Sequence, residues 1–417
     1  MPDSHQTDGN TPRAETIRPW ASLAIRDYRL VWIASVCNAI AIQIRNVAGL
    51  YQVYQISGSA LQLGLTGFFQ AFPFVLFGLF AGAVADAFDR KKLLVVTIAL
   101  QLIPSLLLGA LTLSGSIRPW HIYTLGFFGA MIDVFNWPAR AAMIPRLVPA
   151  SFLMNAVTLN TIIIQTSFLL GPAVGGLLID RAGLVTTYFL TIAMLVPAGV
   201  AIFSMRASGL PEGERRRVNL RTIFEGIEFI WIQRIILSLF LLDFGVTLVG
   251  FYKPILAIFA ADVFKTGAAG LGLLYGAPSA GAIIGSFVIL IIGNISRKGV
   301  LVIVAALVFA ASLAFLGVSN WFWMAVVATL ILGFTDSVSV AIRRTVVQLL
   351  APDGMLGRAS SLTTVFAQAT NGLGAILAGA AAQWFGAPNA LLIGSALCFV
   401  MILAISAAIP QLWKYRS

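Results

Sequence analysis

The sequence predicts an all-α integral membrane protein with twelve transmembrane helices in two pseudo-symmetric halves of six. Composition is the first reason: 59% of the 417 residues are hydrophobic and only 10% are charged, whereas soluble domains carry about 25% charged residues. The second reason is that the apolar runs reach about 20 residues without alternating with polar positions, which favours spanning helices over a membrane barrel. The third reason is an internal repeat.

The repeat relates the fourth and fifth predicted spans to the tenth and eleventh at one fixed offset. Parallel repeats of this kind are related by an axis along the membrane normal, and they place a central site between two halves. The aligned pairs include Asp133 with Asp336, Arg140 with Arg343, Pro149 with Pro352, Gly171 with Gly374, Gly176 with Gly379 and Gly183 with Gly386.

Hydrophilic stretches divide the chain. The N-terminal stretch is polar and contains Pro12 and Pro19, so we expect it to be disordered. The longest internal stretch carries an apolar helical pattern beside Arg221, which predicts either an amphipathic helix on the membrane surface or an extension of the seventh span. The predicted division is a disordered tail at 1–25, a six-helix half at 26–206, a linker at 207–227, a second six-helix half at 228–412 and a tail at 413–417.

The basic residues predict the orientation. Most of the 27 Lys and Arg residues fall on the side of the two termini, which predicts a multi-pass protein of the bacterial inner membrane with both termini cytoplasmic. The net charge of +11 reflects this bias, and its scatter over several loops argues against nucleic-acid binding. Because Cys37 and Cys398 form no metal-ligand spacing and no phosphate-binding loop is present, we expect no metal, no cofactor and no enzymatic activity. We expect a monomer.

The loop after the second span, Gly82–Lys92, contains a glycine, three residues, an aspartate and then a basic cluster. It resembles the signature loop of the major facilitator superfamily, with departures at Ala87 and Asp89. The resemblance implies a latch that holds the two halves in one conformational state, and the alternative is a group of charges that only sets topology. The residues implied are Gly82, Asp86, Arg90 and Lys91.

The fifth span contains a Gly-Pro-x-x-Gly-Gly segment. It resembles the core of the signature of the superfamily's antiporters, without the usual upstream glycines, and implies a bend and a tight contact between the halves. Plain helix packing is the alternative. The segments Pro138–Pro149 and Gly272–Gly276 are similar to the branch that holds the enterobactin exporter and macrolide efflux proteins. The antiporter-like residues are Gly171, Pro172, Gly175 and Gly176.

The resemblance implies a secondary active transporter that works by alternating access. It favours a proton-coupled exporter of small amphipathic molecules, such as a siderophore or an antibiotic. A proton-coupled importer on the same fold and a non-transporting membrane sensor or assembly factor are the alternatives. The implied partners are a small-molecule substrate, protons and membrane lipids.

Charged residues inside the spans are candidates for the transport pathway, because a charge in the bilayer is costly and usually faces a cavity. Arg45 and Asp133 lie at similar predicted depth, and we expect them to pair, with substrate or proton competing for the pair. Asp336 repeats Asp133 but has no basic residue near its depth in its own span, and Asp243 lies mid-depth in the seventh span. Each acid could instead be a structural ion pair. The arginines nearer the cytoplasmic ends, expected to contact lipid headgroups or loop acids, are Arg140 and Arg343.

Overall fold

The computed structural model describes residues 20–210, 233–293, 297–350 and 356–408, and regular structure in these ranges is helical. The described helices, numbered in chain order, are α1 (Arg26–Ser57), α2 (Ala60–Ala87), α3 (Arg90–Leu113), α4 (Pro119–Leu147), α5 (Ala150–Phe203), α6 (Arg234–Val249), α7 (Ile255–Ile258), α8 (Gly267–Ile292), α9 (Lys298–Gly317), α10 (Phe322–Leu350), α11 (Leu356–Phe385) and α12 (Ala387–Ala408).

Twelve crossings can be followed through these helices. Within the described ranges, nine helices are long and apolar enough to span a bilayer. One of them, α5, is 54 residues long and contains two crossings separated by a bend at Gly183. The remaining two crossings are α4, which is richer in polar residues, and the broken unit of α6, α7 and a π-helical turn at Phe259–Val263. The prediction of twelve spanning helices is confirmed.

The two ends of the predicted division fall partly outside the described residues. Of the N-terminal tail, residues 1–19 are not described, but the prediction of disorder through residue 25 is wrong at its end. Ala21–Ala24 form a 3-10 turn because the Ser22 hydroxyl donates to the Phe152 carbonyl and the Ser22 N–H donates to Asn155 Oδ1. The predicted amphipathic helix beside Arg221 and the tail at 413–417 lie outside the described residues.

The bundle has two faces, defined here by its connections. The terminal face is the side on which α1 begins and α12 ends, and the distal face is the opposite side. Two corners of the distal face consist of one glycine each: Gly183, with φ +79°, and Gly386, with φ +82°. Glycine suits these positions because side chains disfavour positive φ. The repeat therefore conserves a backbone conformation as well as a residue.

The two halves meet along two helix pairs, α5 against α8 and α2 against α11. Glycines allow backbone contact in both pairs: a Cβ on Gly176 would lie 2.2 Å from the Ala268 carbonyl oxygen, and one on Gly379 would lie 2.7 Å from the Ala60 carbonyl oxygen. Gly176 and Gly379 are repeat counterparts, so the two contacts are related by the pseudo-symmetry. The largest apolar cluster of the described residues crosses this interface, and the two smaller clusters lie one in each half.

Polar contacts also join the halves at the distal face. The Asp180 carboxylate accepts hydrogen bonds from the backbone N–H groups of Ala268 (3.0 Å) and Ala269 (2.9 Å) at the start of α8. This interaction is favourable because the first N–H groups of a helix lack intrahelical partners and attract negative charge. The Ser59 hydroxyl donates to Gln383 Oε1 over 3.0 Å. The distal ends of the halves are therefore held together.

Candidate functional site

A cavity of about 470 Å³ lies between the two halves, and we call it the central cavity. It is on the terminal-face side of the α5–α8 contact, and α1, α2, α4, α5, α8, α11 and the break between α6 and α7 contribute its walls. Three cations, one acid and seven amides line it, together with apolar and aromatic side chains. The charged residues are Arg45, Asp133, Arg140 and Lys253, and the amides are Asn38, Gln43, Asn46, Gln70, Asn136, Gln368 and Asn371.

The structure brings Arg45 and Asp133 to the same wall but connects them through Gln101 of α3. Arg45 Nη2 donates to Gln101 Oε1 over 2.7 Å, and Gln101 Nε2 donates to Asp133 Oδ1 over 2.9 Å. Arg45 Nη1 donates a second hydrogen bond, to Ser105 Oγ over 3.2 Å. Among the described residues, Arg45 and Asp133 form no direct ion pair within 4 Å. The expected direct pair is thus a three-residue relay, because the Gln101 side chain occupies the space between them.

Gly129 of α4 makes room for this relay. Its carbonyl oxygen accepts a hydrogen bond from Gln101 Nε2 over 2.9 Å. A Cβ at this position would lie 2.7 Å from Arg45 Nη2 and 3.4 Å from Arg45 Cζ. Any larger residue must therefore displace the guanidinium from Gln101.

We expect Gly129→Ala to lower stability by about 1–3 kcal/mol, because the added methyl group overpacks the buried Arg45. Thermal unfolding of the purified protein in detergent measures this. Gly126→Ala is the matched control on the same helix, since its Cβ would lie 3.6 Å from Gln70 Cγ, an ordinary contact. Equal losses in the two variants would show that displacement of Arg45 is not the cause.

A second cavity, of about 290 Å³, lies inside the second half. Asp243, Asp336, Arg343 and Lys253 all line it. Asp243 Oδ1 and Arg343 Nη1 form an ion pair, and Asp336 interacts electrostatically with Asp243, Arg343 and Lys253. The sequence shows no basic residue near the depth of Asp336 in its own span. The bundle nevertheless brings two cations toward it, since Arg343 follows by two helical turns on the same face of α10 and Lys253 approaches from the helix break.

The expected contacts of Arg140 and Arg343 with headgroups or loop acids also need correction. Arg140 is 8% exposed and Arg343 is 6% exposed, and each lines a cavity inside the bundle. Their distance from the helix ends suggested the terminal face, but the helix face on which they lie directs them inward. Arg140 lies beneath Trp137, with 5.6 Å between the guanidinium carbon and the ring centroid.

Lys253 lines both cavities and was given no role from the sequence. It stands in the non-helical segment between α6 and α7, and its carbonyl oxygen accepts a hydrogen bond from the Tyr275 hydroxyl over 2.7 Å. Gly250 and Pro254, which flank this segment inside an apolar span, are the signal that could have predicted the break. Non-helical backbone at membrane depth is tolerated where it lines a cavity.

The Gly82–Lys92 loop makes its described contacts with the first half and with Gly209 at the start of the linker. Asp86 Oδ1 pairs with Arg90 Nη2 at 3.2 Å, and the Arg90 N–H donates to the Gly209 carbonyl over 2.9 Å. Lys91 Nζ donates to the Met205 carbonyl oxygen. The departure at Asp89 has a local explanation, because its side chain caps α3 by accepting from the N–H groups of Lys91 and Lys92. The role of Gly82, Asp86, Arg90 and Lys91 as a latch remains a prediction.

The Gly-Pro-x-x-Gly-Gly segment packs α5 against two neighbours. A Cβ on Gly171 would lie 2.5 Å from Gln43 Cβ of α1, and one on Gly175 would lie 3.1 Å from Ile44 Cα. Gly176 faces α8, as described above. The non-helical φ/ψ in α5 is at Gly183, so the helix continues through Pro172 to that corner.

The comparisons with known proteins agree with this architecture. A family profile described as "transmembrane secretion effector", of the major facilitator type, matches residues 17–415. The enterobactin exporters EntS of Shigella boydii and of Escherichia coli (strain HS) are each 26% identical over 389 residues, covering 90% of this chain and 92% of the relative.

Solved structures with the same fold include a bacterial homologue of the human lysosomal transporter Spinster in an inward-facing, occupied conformation. Its TM-score is 0.73 at 13% identity, over 96% of this chain and 99% of that chain. The nucleoside transporter NupG has a TM-score of 0.71 at 12% identity, over 93% and 99% of the two chains. The family match extends over nearly the whole sequence. The chain therefore belongs to the transmembrane secretion effector family of the major facilitator superfamily, and it is a membrane transporter of small molecules.

Proposed function

We propose that this transporter is a proton-coupled exporter of small amphipathic molecules of the siderophore or antibiotic type, working by alternating access of the two halves. The curated relatives are named as exporters of enterobactin, which supports export and this class of substrate. The position of the central cavity between two halves related by an internal repeat supports alternating access.

The relay from Asp133 through Gln101 to Arg45 is the observation that carries the proposal. A carboxylate in the bilayer interior must be paired, hydrated or protonated. When Asp133 is charged, it accepts the Gln101 N–H, and the Gln101 carbonyl is then oriented toward Arg45. A proton on Asp133 removes the charge that favours this bond and loosens the hold on Arg45. Proton binding and the charge that lines the central cavity are thereby linked.

The direction of transport follows from the orientation that we propose, with both termini cytoplasmic in the bacterial inner membrane. The central cavity then lies on the cytoplasmic side of the distal contacts made by Gly176 and Asp180. Substrate would enter from the cytoplasm and leave after these contacts separate. The linker near 207–227 would join two six-helix halves that rotate against each other. The chain would act as a monomer, since each monomer contains a complete central cavity.

Flux into inverted membrane vesicles tests the proposal. We expect enterobactin, or another member of a panel of siderophores and macrolides, to accumulate in vesicles with an acidic lumen and to be released when a protonophore collapses the gradient. Vesicles without the protein are the control. Accumulation that ignores the pH gradient would contradict proton coupling. Uptake only into right-side-out vesicles would indicate an importer, and no flux in either orientation across the panel would favour a sensor.

A further inference from the structure

Arg140 is a buried cation of the central cavity whose hydrogen-bonding capacity is unused. Its side chain is more than nine-tenths buried, yet within the described part of the chain it makes no hydrogen bond or ion pair. Arg45, in contrast, donates three hydrogen bonds, and Arg343 pairs with Asp243. Arg140 interacts electrostatically with Asp133 and lies over the Trp137 ring, but neither contact uses its N–H groups in a hydrogen bond. A buried guanidinium without hydrogen bonds is costly. Its five N–H donors are therefore available to a ligand.

Asn38 of α1 provides a second polar group without a partner at the same place. It is 6% exposed, and its Oδ1 atom makes no hydrogen bond to the described residues. Asn38 and Arg140 together line the central cavity and a small adjoining void. Their neighbour Asn136 is already engaged, since its Nδ2 donates to Thr97 Oγ1 over 2.7 Å. Arg140, with unused donors, and Asn38 Oδ1, an unused acceptor, thus line the same part of the cavity wall from different helices.

The charge and shape of this wall specify the ligand. The central cavity has three cations and one acid, so it favours a ligand that brings negative charge. The Arg140 guanidinium lies over the Trp137 ring, with its central carbon 5.6 Å from the ring centroid. The edge of a guanidinium matches a carboxylate or another planar oxyanion bidentately. The indole also offers an apolar surface to the part of the ligand next to the charge.

We propose that Arg140 and Trp137 form a subsite that binds the anionic group, a carboxylate or phenolate, of an amphipathic substrate, with Asn38 Oδ1 beside it as an acceptor for a neighbouring hydroxyl or N–H group of that substrate. This inference rests on the proposed function only in taking the central cavity as the substrate site. It requires neither proton coupling nor a direction of transport. It excludes purely cationic amphipaths as preferred substrates.

Equilibrium binding of matched probes tests the subsite. Purified protein in nanodiscs of neutral lipid, which avoids competition from anionic headgroups, is titrated calorimetrically with 1-naphthoate, with its neutral analogue 1-naphthamide and with 1-naphthylmethylammonium. We expect 1-naphthoate to bind at least about tenfold more tightly than the other two, because an ionic hydrogen bond contributes about 1.5–3 kcal/mol.

The variant Arg140→Gln should weaken 1-naphthoate binding about tenfold and leave 1-naphthamide binding within about twofold. Arg140→Lys keeps the positive charge but loses the planar guanidinium, so its affinity for 1-naphthoate should lie between those of the native protein and Arg140→Gln. Arg181→Gln, an exposed arginine near the distal corner, should bind like the native protein. Equal weakening of both probes by Arg140→Gln, preference for the ammonium probe, or no saturable binding of 1-naphthoate would each overturn the inference.

The two proposals fail separately. Arg140-dependent binding of 1-naphthoate without proton-driven flux in vesicles would support the anionic subsite and contradict proton-coupled export. Proton-driven export of neutral or cationic compounds, with binding indifferent to Arg140, would do the opposite.

Discussion

Replacing Asp133 with asparagine should lower proton-coupled flux by about two orders of magnitude, the usual scale for losing an essential proton-transfer group. Asparagine keeps the size and a hydrogen-bond acceptor for Gln101 Nε2, which donates to Asp133 over 2.9 Å in the native protein. It cannot take or release a proton. Folding, membrane insertion and substrate binding should therefore persist while coupling is lost.

Proton movement after substrate addition, measured in proteoliposomes with a pH-sensitive dye, checks this expectation. Arg45→Ala and Gln101→Leu should each change the pH dependence of transport and not only its maximal rate, because both disrupt the relay to Asp133. Asp336→Asn is the matched control: it should be milder, since the Asp243–Arg343 pair in the second cavity stays intact. Native rates of proton exchange in Asp133→Asn would refute the relay, and Asp243 would be the next acid to test.

The variant Gly176→Ala should open the distal contact between the halves. Its Cβ would lie 2.2 Å from the Ala268 carbonyl oxygen and 3.1 Å from Ala269 Cα, and neither atom belongs to a flexible side chain. The helices α5 and α8 must move apart, which also pulls Asp180 away from the N–H groups that it caps. We expect a loss of about 1–3 kcal/mol from the conformation in which the distal ends are closed.

Labelling of a cysteine placed at Ala268 measures this opening. Ala268 is fully buried, so Ala268→Cys should be protected from an impermeant maleimide, in a background with Cys37 and Cys398 replaced by serine. Addition of Gly176→Ala should expose it. Gly199→Ala, in the crossing after the Gly183 bend, is the control, because its Cβ would lie 3.6 Å from Ile98 Cγ2, an ordinary contact. Unchanged protection in Gly176→Ala would mean that the contact tolerates a methyl group without separating.

The fold was predictable because the length of each apolar segment and the internal repeat can both be read directly from the sequence. The depth of a charge also follows from residue counting, which is why Arg45 and Asp133 could be placed on one wall of the cavity. The direction in which a side chain points depends on neighbours that are distant in sequence. Gln101 was missed because a neutral amide in an apolar span gives no charge signal. Lys253 lies within an apolar span, but its position between two cavities depends on the helix break.

The direction of two arginine side chains was also predicted wrongly, although the sequence contained a relevant pattern. Arg140 follows Asp133 on one face of α4, and Arg343 follows Asp336 on the equivalent face of α10, so the repeat already contained their inward direction. Their short distance from the helix ends led instead to the prediction that they contact headgroups or loop acids. The spacing of each acid and its arginine therefore predicts that both face the same cavity. This became clear only from the packed bundle, in which both residues of each pair line one cavity.

The single-glycine corners at Gly183 and Gly386 have a mechanical consequence. Each joins two spans without slack, whereas the other connections on the distal face are longer. When the fifth span tilts, the sixth must tilt with it, and the eleventh and twelfth are joined in the same way. Helices adjust to bilayer thickness by tilting. A change in bilayer thickness that tilts the sixth or the twelfth span therefore also tilts the fifth or the eleventh, which packs against the opposite half. Lipid composition can in this way alter the shape of the central cavity.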